Sequence, residues 1–156
     1  MFVCSLRAST LKFFSVVAVS LAVLLVLVTL VPSYSEEENV TAGYVYERIR
    51  GEDDAEGFLG QFGWVVDAEP LEITEVVMPD EFDKVFSAYN EIQKEQGLDL
   101  LKYKGKKLTR YTFLVKNYKD YDGKVLANVL VYRGKVVGGD ICSADVNGFV
   151  HGFEEN

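Results

Sequence analysis

LTRYTFLVKNYKDYDGKVLANVLVYRGKVVGGDICSADVNGFVHGFE, from Leu108 to Glu154, is the stretch on which the fold turns. Its apolar-rich runs break at Asp122-Gly123, Arg133-Gly134 and Asn147-Gly148, each a residue followed by glycine. A two-residue loop ending in Gly between alternating apolar residues is the signature of a β-hairpin. Three in series predict a four-stranded antiparallel meander: Leu108–Tyr118, Lys124–Tyr132, Lys135–Cys142 and Phe149–Glu154.

Two-residue turns also set a register. Around Arg133-Gly134, Val131 faces Val136 and Leu130 faces Val137. Around Asp122-Gly123, Val115 faces Leu130 and Phe113 faces Tyr132. Phe113, Val115, Leu130, Tyr132, Val137 and Ile141 then share the face beneath the helices, where Asn117 and Asn128 form a structural amide pair. Around Asn147-Gly148, Ala144 faces His151 and Cys142 faces Phe153, so Asp140, Cys142 and His151 fall on one face.

Working outward, the meander is preceded by LDLLKYKGKK (98–107), a connection whose four lysines read as a solvated loop more readily than as a cationic lip for an anion. Before it, Phe82, Val85, Phe86, Tyr89 and Ile92 form the apolar stripe of a helix with Asp80 at its N-cap and Gly97 at its end. Leu71–Met78 is rich in β-branched residues and predicts a strand. A shorter helix covers 52–62, with Ala55, Phe58, Leu59 and Phe62 on one face and Gly63 past its C-terminus. Trp64–Val66 and Tyr44–Arg50 are short predicted strands, and Trp64 is expected in the core.

Further upstream the composition changes. Phe13–Val31 is 19 residues without a charge, long enough at about 1.5 Å per residue to cross a hydrocarbon core. Arg7 and Lys12 precede it and Glu36, Glu37 and Glu38 follow it. The expectation is a cytoplasmic N-terminus (1–12), a transmembrane anchor (13–31), a polar linker (32–43) and an extracytoplasmic α+β domain (44–156) in the cell membrane. The competing reading is secretion after signal cleavage near Ser35, although the run is longer than a signal peptide's apolar region. The class is thus α+β: an N-terminal transmembrane helix, then an antiparallel sheet ending in the meander and packed by two helices.

The chain of 156 residues is 49 % hydrophobic and 26 % charged, a composition that folds rather than one that stays disordered. Only two of its 16 basic residues lie in 1–31, so the remainder carries 14 against 24 acids, a net charge of −10. Such a domain repels phosphate backbones, which excludes nucleic-acid binding. The partners expected are the membrane, through the N-terminal helix, and an extracytoplasmic or membrane protein. Cys4 and Cys142 flank the apolar run, leaving the exported domain one thiol and no internal disulfide.

Three sets of residues are candidates for chemistry. Cys142 beside His151, with Asp140 near, is the arrangement that activates a cysteine nucleophile, and it carries the alternative of an extracytoplasmic cysteine-dependent enzyme. Against it, a lone Cys is most often a small hydrophobe, and neither a helix N-terminus nor an oxyanion loop attends it. Asp145, Asn147 and Glu154 occupy third, fifth and twelfth positions of a calcium-type loop counted from Ser143, but Ser143 is not the acid such a loop starts with. Gly138 and Gly139, with Asp140, mark a bulge or a place where another chain packs on bare backbone, the best hint of a binding surface. No cofactor is implied. The bland reading, a non-enzymatic binding or accessory module, is favoured.

Phe58-Leu59-x-x-Phe62-Gly63-Trp64, Met78-Pro79-x-x-Phe82-Asp83, Tyr89-Asn90 with Gln93, Gly138-Gly139-Asp140-x-Cys142-Ser143 and Gly148-Phe149-x-His151-Gly152 together resemble an uncharacterised domain-of-unknown-function family, number forty-eight thirty. The family is one of small membrane-anchored proteins from Clostridia-type bacteria. The resemblance implies export, an N-terminal anchor and a bacterial origin, and no activity. A bacterial host would also leave the Asn39-Val40-Thr41 acceptor pattern unglycosylated.

Overall fold

The meander is present, and a fifth strand extends it. The computed structural model describes Ser20 and residues 43–154. Strands β1 (Glu72–Val77), β2 (Lys107–Val115), β3 (Val125–Tyr132), β4 (Lys135–Ser143) and β5 (Val150–His151) form one antiparallel sheet in chain order. Helices α1 (Glu52–Gly60) and α2 (Lys84–Glu95) complete the α+β fold, with a 3-10 turn at Leu100–Tyr103. The expected membrane span lies, Ser20 apart, outside the described residues, as do Cys4 and Asn39. Among the described residues no helix is long and apolar enough to cross a membrane.

Both helices end as their glycines dictate. Gly63 and Gly97 take positive φ (85° and 74°), and in each case the next residue's N–H returns to the carbonyl five back, Trp64 to Leu59 and Leu98 to Gln93. The N-cap of α2 is Asp83, whose carboxylate accepts from Phe86 N at 2.8 Å, in place of the expected Asp80.

The sheet is covered on both faces, which divides the apolar residues differently from the predicted register. Tyr111, Phe113, Val115, Ala127, Val129 and Ile141 pack with α1, Trp64 and Phe153 on one face. Leu108, Leu130 and Val137 pack with Met78, Leu100 and partly buried Tyr89 on the other, the α2 face. The cause is the loop at Asp122-Gly123. It is a nine-residue connection, and Val115 pairs with Val125 rather than Leu130. That five-residue slip is odd, so it turns β3 over relative to β2. Tyr118 is drawn out of the strand to stack between Trp64 and Phe149, at centroid distances of 5.7 and 4.7 Å. The Asn117–Asn128 pair does not form: Asn117 instead holds Val65 N and Gly63 O, and Asn128 belongs to the α2 face.

Arg133-Gly134 is the predicted tight turn, with φ of 49° and 79°. Beyond it the pairing shifts at Leu130/Val131, so Val137 bulges and Leu130 meets Gly138. Tyr44–Arg50 is not a strand. It touches β4 through one bridge, Glu47 to Lys135, because Arg48 takes φ 71° and bends the chain. Trp64–Val66 is likewise reduced to the bridge Val66–Val115.

A groove beneath helix α2

The α2 stripe expected in the core is largely outside it. Val85 is 75 % exposed and Phe86 lies at the surface, whereas the fully inward residues of α2 are Asn90 and Gln93. Two half-helices result. The C-terminal half is tied down by amides: Asn90 Oδ1 accepts from Leu100 N (2.8 Å), Gln93 Oε1 from Gly139 N (2.8 Å) and Gln96 Oε1 from Phe153 N (2.7 Å). Each bond satisfies a backbone N–H that leucine or valine would leave unpaired at a cost of about 1–3 kcal/mol. The N-terminal half has no such ties. Between it and the sheet opens a groove of about 360 Å³.

Val76, Val77 and Met78 form one wall of this groove, Val85, Phe86 and Tyr89 the other, and Leu130 the floor with Arg110, Asn128 and Asp140. The polar floor is a chain of hydrogen bonds. Thr112 Oγ1 donates to Asn128 Oδ1 (2.8 Å), Asn128 Nδ2 to Asp140 Oδ2 (3.0 Å), and Tyr89 OH to Asp140 Oδ1 (2.6 Å). Asp140, only 5 % exposed, is therefore a buried carboxylate that accepts from Tyr89, Asn128 and the Cys142 thiol. Burial, followed by the charge and hydrogen bond of Asp140, raises the Tyr89 hydroxyl well above the ordinary tyrosine range, with Arg110 opposing. Arg110 gives Nη2 to Glu72 (2.9 Å) while its buried Nε has no partner. Glu72 is lowered by the Thr74 hydroxyl first and by Arg110 second.

Asp140 and Cys142 share this face, and His151 does not. His151 pairs with Ile141 and Cys142 with Val150, three residues from the predicted register and again an odd slip. Its cause is Ser143, whose N–H bonds Phe149 O (3.1 Å) and whose Oγ accepts from Phe149 N (3.2 Å), closing a longer loop over 144–149. The His151 ring lies on the α1 face against Tyr118, Phe149 and Trp64, with Nδ1 2.7 Å from Gly152 O and Nε2 3.1 Å from the Tyr118 hydroxyl. The Cys142 thiol is pushed up to about 12 by burial, then by the charge and hydrogen bond of Asp140. This is the reverse of what an activated nucleophile needs.

The remaining candidates are accounted for within the fold. Asp145 accepts from Tyr121 OH, and its carbonyl takes Gly148 N (3.1 Å) in the loop turn. Among the described residues no group of three or more His, Cys, Asp or Glu could hold a metal ion. A Cβ on Gly138 would stand 2.9 Å from Leu100 Cδ2, and one on Gly139 2.3 Å from both Asn128 O and Phe153 Cζ. The bare backbone there is filled by this chain's own Leu100 and Phe153. The four lysines of 102–107 stay at the surface, or nearly so, with Lys104 over the Phe82 ring at 5.5 Å.

Of the groove's polar residues, the sequence marks Asp140 as a candidate for chemistry and Asn128 only as half of an amide pair. Carrying the suspected Gly138-Gly139 bulge through the Arg133-Gly134 register would have set Asn128 opposite Asp140, as observed. No comparable signal marks Tyr89 or Arg110. A family model for a domain of unknown function (DUF4830) matches residues 58–141, which contain every lining residue of the groove and stop short of Cys142 and His151. No curated protein and no solved structure matches the chain.

Proposed function

From the premise that the chain belongs to the DUF4830 family, whose description names no activity, we propose a non-enzymatic binding module that holds the apolar part of a ligand in the α2 groove and is anchored to the outer side of the cell membrane by Phe13–Val31. One observation carries the binding reading: a helix face of Val85 and Phe86 left open over an apolar strand wall, where a core helix would be closed. Its volume falls in the range of small-ligand pockets, about 300–1,000 Å³. The anchor is supported by the uncharged run and by its basic and acidic flanks.

The test of the groove is photolabelling. The full chain in lipid nanodiscs is irradiated with a short alkyl-diazirine probe, and adducts are mapped by mass spectrometry. Adducts concentrate on 76–78 and 85–89, and Val85→Asp removes them while the fold persists. Labelling spread evenly over the surface refutes the reading. A C-terminal alkaline phosphatase fusion tests the anchor: the expected result is an active enzyme, and activity only from a cytoplasmic reporter overturns the orientation.

A further inference from the structure

Among the described residues β1 is the first strand of the sheet and is paired on one side only. Met78 N donates to Lys106 O at 2.9 Å, while Met78 O accepts from Gly105 N (2.9 Å), so one ladder bond fixes the phase at this end. Alternation along an antiparallel ladder then places the inter-strand bonds at Val76, Thr74 and Glu72 and turns the N–H and C=O of Ile73, Glu75 and Val77 outward. The side chains at these positions stand in the open, Ile73 50 % and Val77 62 % exposed. Sheet edges are ordinarily blunted by charged side chains, proline or a bulge, since an apolar edge recruits other strands. Of these devices β1 carries only its two glutamates, Glu72 and Glu75, and its register with β2 is unbroken.

The charges select what can pair there. Glu72 is occupied by Thr74 Oγ1 (2.7 Å) and Arg110. Glu75 has only Lys107 at 3.8 Å, with both side chains nearly three-quarters exposed, a contact of little worth. Antiparallel self-pairing with Ile73 opposite Val77, which keeps the outward N–H and C=O groups in phase, would set Glu75 against Glu75 of a second copy, which is destabilising. A strand with a basic residue at that position, between apolar residues facing Ile73 and Val77, is complementary instead. The residue facing Val76 would turn to the other face, toward Val85 and Phe86 at the groove mouth.

We infer that β1 is a docking edge for an extended peptide segment of a partner protein, added as a sixth antiparallel strand, with a Lys or Arg opposite Glu75 and apolar residues opposite Ile73, Val76 and Val77. Main-chain bonds supply affinity and the alternate side chains supply selection, as in other strand-addition modes. The inference rests on the groove reading only for the position opposite Val76.

The probe is a fluorescent peptide with the central sequence Val-Leu-Lys-Thr-Ile, flanked by threonines, titrated by anisotropy against the full chain in nanodiscs with empty nanodiscs as reference. Saturable binding is expected. Changing the peptide Lys to Glu weakens it about five-fold, and Glu75→Lys in the protein reverses that preference. N-methylation at the Val, Lys and Ile amides abolishes binding, whereas methylation at Leu and Thr does not. Absence of saturable binding, including absence because a second copy or residues 1–42 close the edge, overturns the inference. So does binding indifferent to which amides are methylated, or a preference unmoved by Glu75→Lys. Diazirine labelling that persists while the peptide fails overturns the edge alone, and peptide binding without groove labelling overturns the groove reading alone.

Discussion

Alkylation of Cys142 tests the α2-face network most directly. At pH 8 a thiol of ordinary pKa, about 8.5, is about one-quarter thiolate, whereas one pushed up to about 12 is ionised in about one molecule in ten thousand. The population ratio of roughly two thousand is offset about thirty- to sixty-fold by the greater nucleophilicity of a more basic thiolate. Partial exposure of the side chain softens the shift further. Native Cys142 should therefore react with iodoacetamide about tenfold more slowly, or slower still, than the same thiol in urea. The assay uses the full chain with Cys4→Ser, so that one thiol is counted by mass spectrometry. Between pH 8 and 11 the native rate should keep climbing, because the thiol is still losing its proton, while the unfolded rate levels off. Asp140→Asn removes the charge that is the second cause of the shift and should speed alkylation several-fold, with circular dichroism confirming the fold. A native rate within about two-fold of the unfolded one, or no response to Asp140→Asn, refutes the account of burial and charge given above.

Two stability measurements address the packing. Gly139→Ala sets a methyl against a backbone carbonyl and a buried ring, and should cost about 3 kcal/mol or more, lowering Tm by about 10 °C. Gly138→Ala meets only side-chain ends of Leu100, Gln93 and Leu130 and should cost clearly less, so equal losses would contradict the packing described. Asp83→Ala removes the α2 cap and should cost about 1 kcal/mol in urea unfolding, while Asp80→Ala should leave that helix's cap intact.

Element identities were legible because they depend on local chemistry. Gly63 and Gly97 end helices, Arg133-Gly134 makes a tight turn, and Leu71–Met78 holds a strand, each as its residues require. Long-range parity was not legible. In place of a two-residue turn at Asp122-Gly123, Tyr118 leaves the strand and stacks in the aromatic cluster, and no local rule reports that long-range contact. Ser143 similarly lengthened the last loop, and the odd slip parted Cys142 from His151. The site was hidden for a related reason. Apolar periodicity assigns the stripe of α2 to the core, but the inward positions went to Asn90 and Gln93, whose value lies in backbone groups distant in sequence.

Phe153 bears on how the fold closes. Its ring packs edge-on to Phe58 at 5.0 Å and against Gly139, its N–H is held by Gln96, and its carbonyl takes the Trp64 indole N–H at 2.6 Å. Phe153 thus joins α1, the end of α2, β4 and the Trp64 segment. Trp64 lies 89 residues away along the chain and Gln96 57. The core around Phe58 and Trp64 therefore closes only when distant segments meet, a non-local step of the kind that slows folding.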